Sequence, residues 1–173
     1  MAIRRLAIAA TAALLAFGPA GANDRTFFDS IEGEWSGPGQ IVAGKYKGTR
    51  FSCALDGAAI GQGDGMSLDG RCRVGLFTQD VSAMVRRSGG GYTGSFLDGA
   101  AGKGLDVVNG NVDGDRITVG MTRDELNGAM VARLKPDGRL AVTVSVRVGD
   151  ELVPVIGLDL SRRLDRTATG SLR

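Results

Sequence analysis

"RLAVTVSVRV" (residues 139–148) alternates without a break. Leu140, Val142, Val144, Val146 and Val148 fall on one face, and Ala141, Thr143, Ser145 and Arg147 on the other. A period of two marks a strand with one buried face and one wetted face, as in antiparallel sheets. Its partners follow from parity, because residues opposed across a ladder share a face. Upstream, a loop of Pro136, Asp137 and Gly138 sets Leu134 opposite Leu140, Ala132 opposite Val142 and Met130 opposite Val144. Downstream, two registers compete. A two-residue Gly149-Asp150 turn would oppose Asp159 to Leu140. A three-residue loop, Gly149 to Glu151, gives Val148/Leu152, Val144/Ile156, Val142/Leu158 and Leu140/Leu160, and is the expected one. Pro154 has no N–H to donate, so it must point away from the ladder or sit at a bulge.

The rest of the chain repeats the theme. "LDVVNGNVDGDRITVGM" (105–121) reads as a hairpin around Asp113-Gly114-Asp115, and "MVRRSGGGYTGSFL" (84–97) as one around Gly89-Gly90-Gly91. "TRDELNG" (122–128) has capping-box spacing between Thr122 and Glu125 and is read as one helical turn. No stretch after the N-terminal segment keeps a helical apolar period over ten residues. The 28 glycines show no collagen period and belong to turns, bulges and close backbone approaches. "LDGAAIGQGD" (55–64) and "LDGAAGKGLD" (97–106) resemble each other and are read as two equivalent turns. The expectation is an all-β, up-and-down meander of about nine or ten strands, closed into a small barrel to remove its edges.

The N-terminus reads "MAIRRLAIAATAALLAFGPAGA". Arg4 and Arg5 precede an apolar run, Leu6 to Phe17, and Ala20-Gly21-Ala22 is a small-residue cleavage site. The run is short of the roughly 20 residues that cross a bilayer. Residues 1–22 are therefore read as a signal peptide, 23–164 as one barrel domain, and 165–173 as a polar tail. The expected location is the periplasm or the exterior. Cleavage would lower the basic count from 21 to 19, equal to the 19 acids. A balanced chain is a poor match for nucleic acid or for anionic membranes, and no integral membrane association is expected.

Cys53 and Cys72 are the only cysteines. In an exported chain they are expected to form a disulfide. The midpoint between them falls in "GQGDG" (61–65), so a hairpin turning there sets them directly opposite. The same register opposes Asp56 to Asp69, with Asp64 near the turn. Solvated aspartates beside glycine are the expected reading, and a Ca²⁺ site is the alternative.

The chain has no histidine, which removes imidazole bases, imidazole metal ligands and the Ser-His-Asp triad. There is no G-x-S-x-G and no HExxH, and "GAAGKG" (99–104) lacks phosphate-loop spacing. No catalytic residue, cofactor or metal is assigned.

"FFDSIEGEWSGPGQI" (27–41) holds the only tryptophan, Trp35. It resembles the first strand of calycin-like barrels. Phe28-Asp29 ahead of Gly33-Glu34-Trp35 resembles lipocalins, and Gly33, Trp35, Gly37 and Gly39 match the Gly-x-Trp-x-Gly-x-Gly of nitrobindin-like proteins. The resemblance implies that Trp35 closes the barrel floor under an arginine from the last strand, either Arg162 or Arg163. Nitrobindin-like proteins bind haem through a histidine, so that role does not carry over. The function expected is a lumen for a small apolar or amphipathic ligand, with Trp35, Met130, Val142, Val144, Val146 and Ile156 as candidate site residues. The alternative is an envelope protein that binds a partner through glycine-rich loops, "GAAIGQGDG" (57–65) and "RRSGGGY" (86–92).

Overall fold

The computed structural model describes residues 21–97 and 104–163. The expected leader lies outside this range except for Gly21 and Ala22, and the tail 165–173 lies wholly outside it. So does most of the second "LDGAA" segment.

A helix, α1 (Gly21–Ile31), precedes ten strands: β1 (Gly33–Ile41), β2 (Arg50–Ile60), β3 (Gly65–Val74), β4 (Phe77–Ser88), β5 (Gly91–Leu97), β6 (Leu105–Asp113), β7 (Arg116–Arg123), β8 (Leu126–Leu134), β9 (Arg139–Val148) and β10 (Glu151–Arg162). Each strand pairs antiparallel with the next, and β1 pairs with β10. The sheet is a closed barrel, so it has no free edge. Because the strands alternate in direction, the turns sort into two ends. The floor carries α1 and the turns at 61–64, 89–90, 114–115 and 135–138. The mouth carries the 42–49 loop and the turns at 75–76, 124–125 and 149–150.

The register expected for β8–β9 is present: Leu134/Leu140, Ala132/Val142 and Met130/Val144. For β9–β10 both competing registers occur, one at each end. The turn is the two-residue Gly149-Asp150, with Val148 opposite Glu151 rather than Leu152. A bulge between Pro154 and Ile156 then shifts the ladder by one residue. Beyond it, Ile156 faces Val144, Leu158 faces Val142 and Leu160 faces Leu140. The bulge lets the tightest hairpin coexist with an apolar inner face, and it lies where proline leaves the ladder short of a donor.

Two local readings are corrected. Residues 122–128 form no helical turn: Arg123 pairs with Leu126, and Asp124, at φ 52°, makes a tight hairpin turn. Asp tolerates this left-handed conformation better than most side chains. The second correction is α1. Asp24, Phe27, Phe28 and Ile31 recur at i, i+3, i+4 and i+7, and all four are buried. That is one helix face. Its first member is charged, and for that reason the segment does not read as an amphipathic helix. The helix ends at Ile31, and the chain turns into β1 at Gly33, whose φ of 112° suits glycine.

Cys53 and Cys72 oppose each other across β2–β3, with sulfurs 1.99 Å apart. Cys53 is buried, so the bond faces the interior. Asp56 opposes Asp69 as expected. Asp69 accepts from the Ser82 hydroxyl at 2.5 Å, and among the described residues no three metal-ligating side chains converge.

The ladder holds the β2–β3 hairpin without the covalent link. Replacing both cysteines by alanine is therefore expected to leave the barrel folded but to lower its unfolding free energy by roughly 3 kcal/mol, the value for a loop of this size. Urea unfolding followed by Trp35 fluorescence measures this.

Candidate functional site: an apolar lumen with a helical floor

The floor is built around the ends of α1. A helix leaves its last carbonyls without partners and carries partial negative charge there. The last turn of α1 has no basic residue, and the barrel supplies the partners instead. Trp35 Nε1 donates to the Ile31 carbonyl at 2.8 Å. Arg162 Nη2 donates to Ser30 at 2.5 Å, and Nη1 donates to Glu32. The same guanidinium lies over the Trp35 ring, 4.4 Å from its centroid, a cation–π geometry. Trp35 and Arg162 also face each other across the β1–β10 seam. Arg163 instead reaches Glu34 at 3.4 Å on the outside.

The first turn of α1 is pinned as firmly. Asp24, 8% exposed, accepts hydrogen bonds from Arg87 and, at 2.6 Å, from the Tyr92 hydroxyl. Burial, then the hydrogen bond to Asp24 and its negative charge, push the Tyr92 phenol well above its ordinary value of 10.0. Between these anchors Phe28 packs edge-on against Phe27 and Tyr92. Gly57 lets β2 pass under the helix end: a Cβ there would meet the Ile31 carbonyl oxygen at 2.2 Å.

Above the floor the interior divides in two. On the β6–β7 side it is filled by Val107, Ile117, Val119 and Met121, all buried. On the other side lies a cavity of about 450 Å³. Its wall comes from β1–β5 and β8–β10, and no residue of β6 or β7 takes part. It runs from Leu160 and Ala132 near the floor to Ile41, Val74 and Phe77 at the mouth.

Of the residues singled out from sequence, Met130, Val142, Val144 and Ile156 line this cavity. Trp35 lies in the floor and is not part of the wall. Val146 shares the inner face with Val144 but does not line the cavity either. The N-terminal half of the wall, which includes Phe51, Leu55, Met66, Leu68, Cys72 and Phe96, was missed. A period-2 signal was there, in Phe51/Cys53/Leu55 and Met66/Leu68/Cys72. Intervening glycines and aspartates made it fainter than the valine run of β9.

No protein-family model matches the chain, and no curated protein does. Among solved structures it is similar to the crystal structure of Rv2717c from M. tuberculosis, with a TM-score of 0.56 and 17% identity over 85% of this chain and 99% of that one. At that identity the likeness is one of fold.

Two outcomes are expected at the floor. Arg162→Ala removes two caps and the stacked cation, and should cost about 1–2 kcal/mol. Its distinguishing mark is faster amide exchange confined to residues 24–31. For Tyr92, the folded state holds the phenolic proton more tightly than the unfolded chain. The resulting stability is complete below pH 10.0 and is lost as pH rises above it. Thermal melts between pH 8 and 11 should show this fall, and Tyr92→Phe should flatten it.

Proposed function

We propose that the protein is an exported, calycin-like binding barrel that holds a small apolar or amphipathic molecule in its lumen. One observation carries the reading: the cavity of about 450 Å³ with an almost wholly aliphatic and aromatic wall. Small-molecule sites usually span about 300–1,000 Å³ and are lined mainly by apolar groups. Well-packed interiors leave few voids larger than one water, so a space of this size has a use or a stability cost. Polar side chains are few in the wall: of Thr78, Gln79 and Ser82 on β4, Gln79 shares the inward face with Phe77, Val81 and Ala83, while the Ser82 hydroxyl is turned to Asp69 on the outside. Gln79, near the mouth, suits a ligand with an apolar body and a polar end. Export is supported by the disulfide and by the leader-like N-terminal sequence.

The glycine-rich segments give less support to a partner-binding role. "GAAIGQGDG" is the end of β2, a turn and the start of β3, and the turn in "RRSGGGY" is Gly89-Gly90. Both segments border the floor, where Gly57 packs under α1 and Gly63 against Arg25.

Titration with the apolar fluorophore N-phenyl-1-naphthylamine is expected to show saturable, one-to-one binding. Val142→Phe and Val144→Phe project bulk into the cavity and should weaken that binding at least about tenfold, with unchanged circular dichroism establishing that the barrel remains folded. Absence of saturation, or equal binding by both filled variants, would refute the reading.

A further inference from the structure

The mouth is polarised. On one side the β1–β2 loop and the β3–β4 turn stand next to each other, because β1 to β4 are consecutive around the barrel. Together they form a lip. Its tips are apolar and project into solvent: Leu76 is 98% exposed, Phe77 82% and Tyr46 62%. Lys45, Lys47, Arg50 and Arg73 stand among them, all exposed. Residues 42–52 and 73–78 contain no carboxylate. Among the described residues, none of the four cations is paired with one. Among the described residues the other turns of the mouth reverse the balance: 124–125, across from the lip, and 149–150, beside the β1–β2 loop, carry Asp124, Glu125, Asp150 and, adjoining, Glu151, against Arg123 and Arg147.

We propose that this lip docks the mouth of the barrel on an anionic lipid surface. Monomeric proteins seldom hold a large aliphatic and an aromatic side chain nearly fully in water at one hairpin tip. Here that tip is flanked by unpaired cations, a pairing that suits insertion below a layer of lipid phosphates. Leu76 and Phe77 would enter the acyl boundary. Tyr46, with Lys45 Nζ 5.5 Å from its ring centroid, would lie at headgroup depth, where aromatic rings and long cationic stems are at home. The acidic turns at 124–125 and 149–150 would be repelled, so the barrel would sit tilted onto its lip. The balance of charge summed over the chain conceals this asymmetry, because among the described residues of the rim the fold collects cations on the lip and carboxylates on the 124–125 and 149–150 turns. Phe77 and Val74 also line the lumen, so the cavity would open at the lipid boundary. The docking itself holds whether or not the lumen is loaded.

Co-sedimentation of the folded protein with vesicles tests this. Binding is expected to vesicles containing phosphatidylglycerol, to be weak on pure phosphatidylcholine, and to fall with added salt. Lys45→Glu/Lys47→Glu and, separately, Leu76→Ser should each reduce partitioning at least about tenfold. Leu76 is not part of the cavity wall, so Leu76→Ser should still take up N-phenyl-1-naphthylamine; this separates loss of docking from loss of the lumen. Three results would overturn the proposal: no binding to anionic vesicles at low salt, binding that the lip variants leave unchanged, or a dimer in solution that Leu76→Ser dissolves, which would make the lip a self-interface.

Discussion

The carbonyls at the end of α1 need hydrogen-bond donors, and the barrel provides them from Trp35 and Arg162. These two residues come from the first and last strands, and they face each other where the sheet closes. Helix termination, floor closure and barrel closure thus meet at one stacked pair. Removing Trp35 would leave the buried Ile31 carbonyl unmatched, and removing Arg162 would uncap Ser30 and Glu32; either would loosen the seam. The opposite anchor, Asp24 with Arg87 and Tyr92, keeps the helix from pivoting. A carboxylate this buried is tolerated because a guanidinium and a phenol both donate to it.

With the floor sealed, the interior is a matter of volume. Closing ten strands produces more space than the inward side chains on one side can fill. Ile117, Val119 and Met121 fill the β6–β7 side. Elsewhere valine, alanine and the disulfide leave the wall short of the centre. Small inward residues such as Ala83 and Ala132 are the reason that half stays hollow. Two bulges keep the apolar side chains turned inward while the chain keeps tight hairpins. One is at Pro154/Ile156; at the other, between Val107 and Asn109, the Asn109 side chain accepts from Gly120 N–H at 3.1 Å.

The two ends of the barrel are chemically opposite. The floor is closed by α1 and the hydrogen bonds at both its ends, while the described part of the mouth, the 42–49 loop and three tight turns, has protruding apolar tips and segregated charge. A ligand would therefore enter and leave at the mouth, on the β1–β4 side, where the wall reaches the rim at Ile41, Val74 and Phe77.

Period-2 alternation and turn chemistry are local, and so were legible. From them came the meander, its closure, the opposition of Cys53 to Cys72 and the inner face of β8–β10; the narrowing of Trp35's partner to Arg162 or Arg163 came from the resemblance of the first strand to calycin-like barrels. The β9–β10 bulge reconciled two registers that each satisfied only part of the pattern; the apolar spacing did not locate it, but Pro154, which had to point away from the ladder or sit at a bulge, did mark the place. What only the tertiary structure decided depends on residues distant in sequence. The α1 plug has a charged residue on its buried face, and that face makes sense only once Arg87 and Tyr92 are placed beside it. Likewise, whether inward side chains fill a lumen depends on how far apart the opposite walls stand. Strand tilt and closure set that distance, and no pattern along a single strand encodes it.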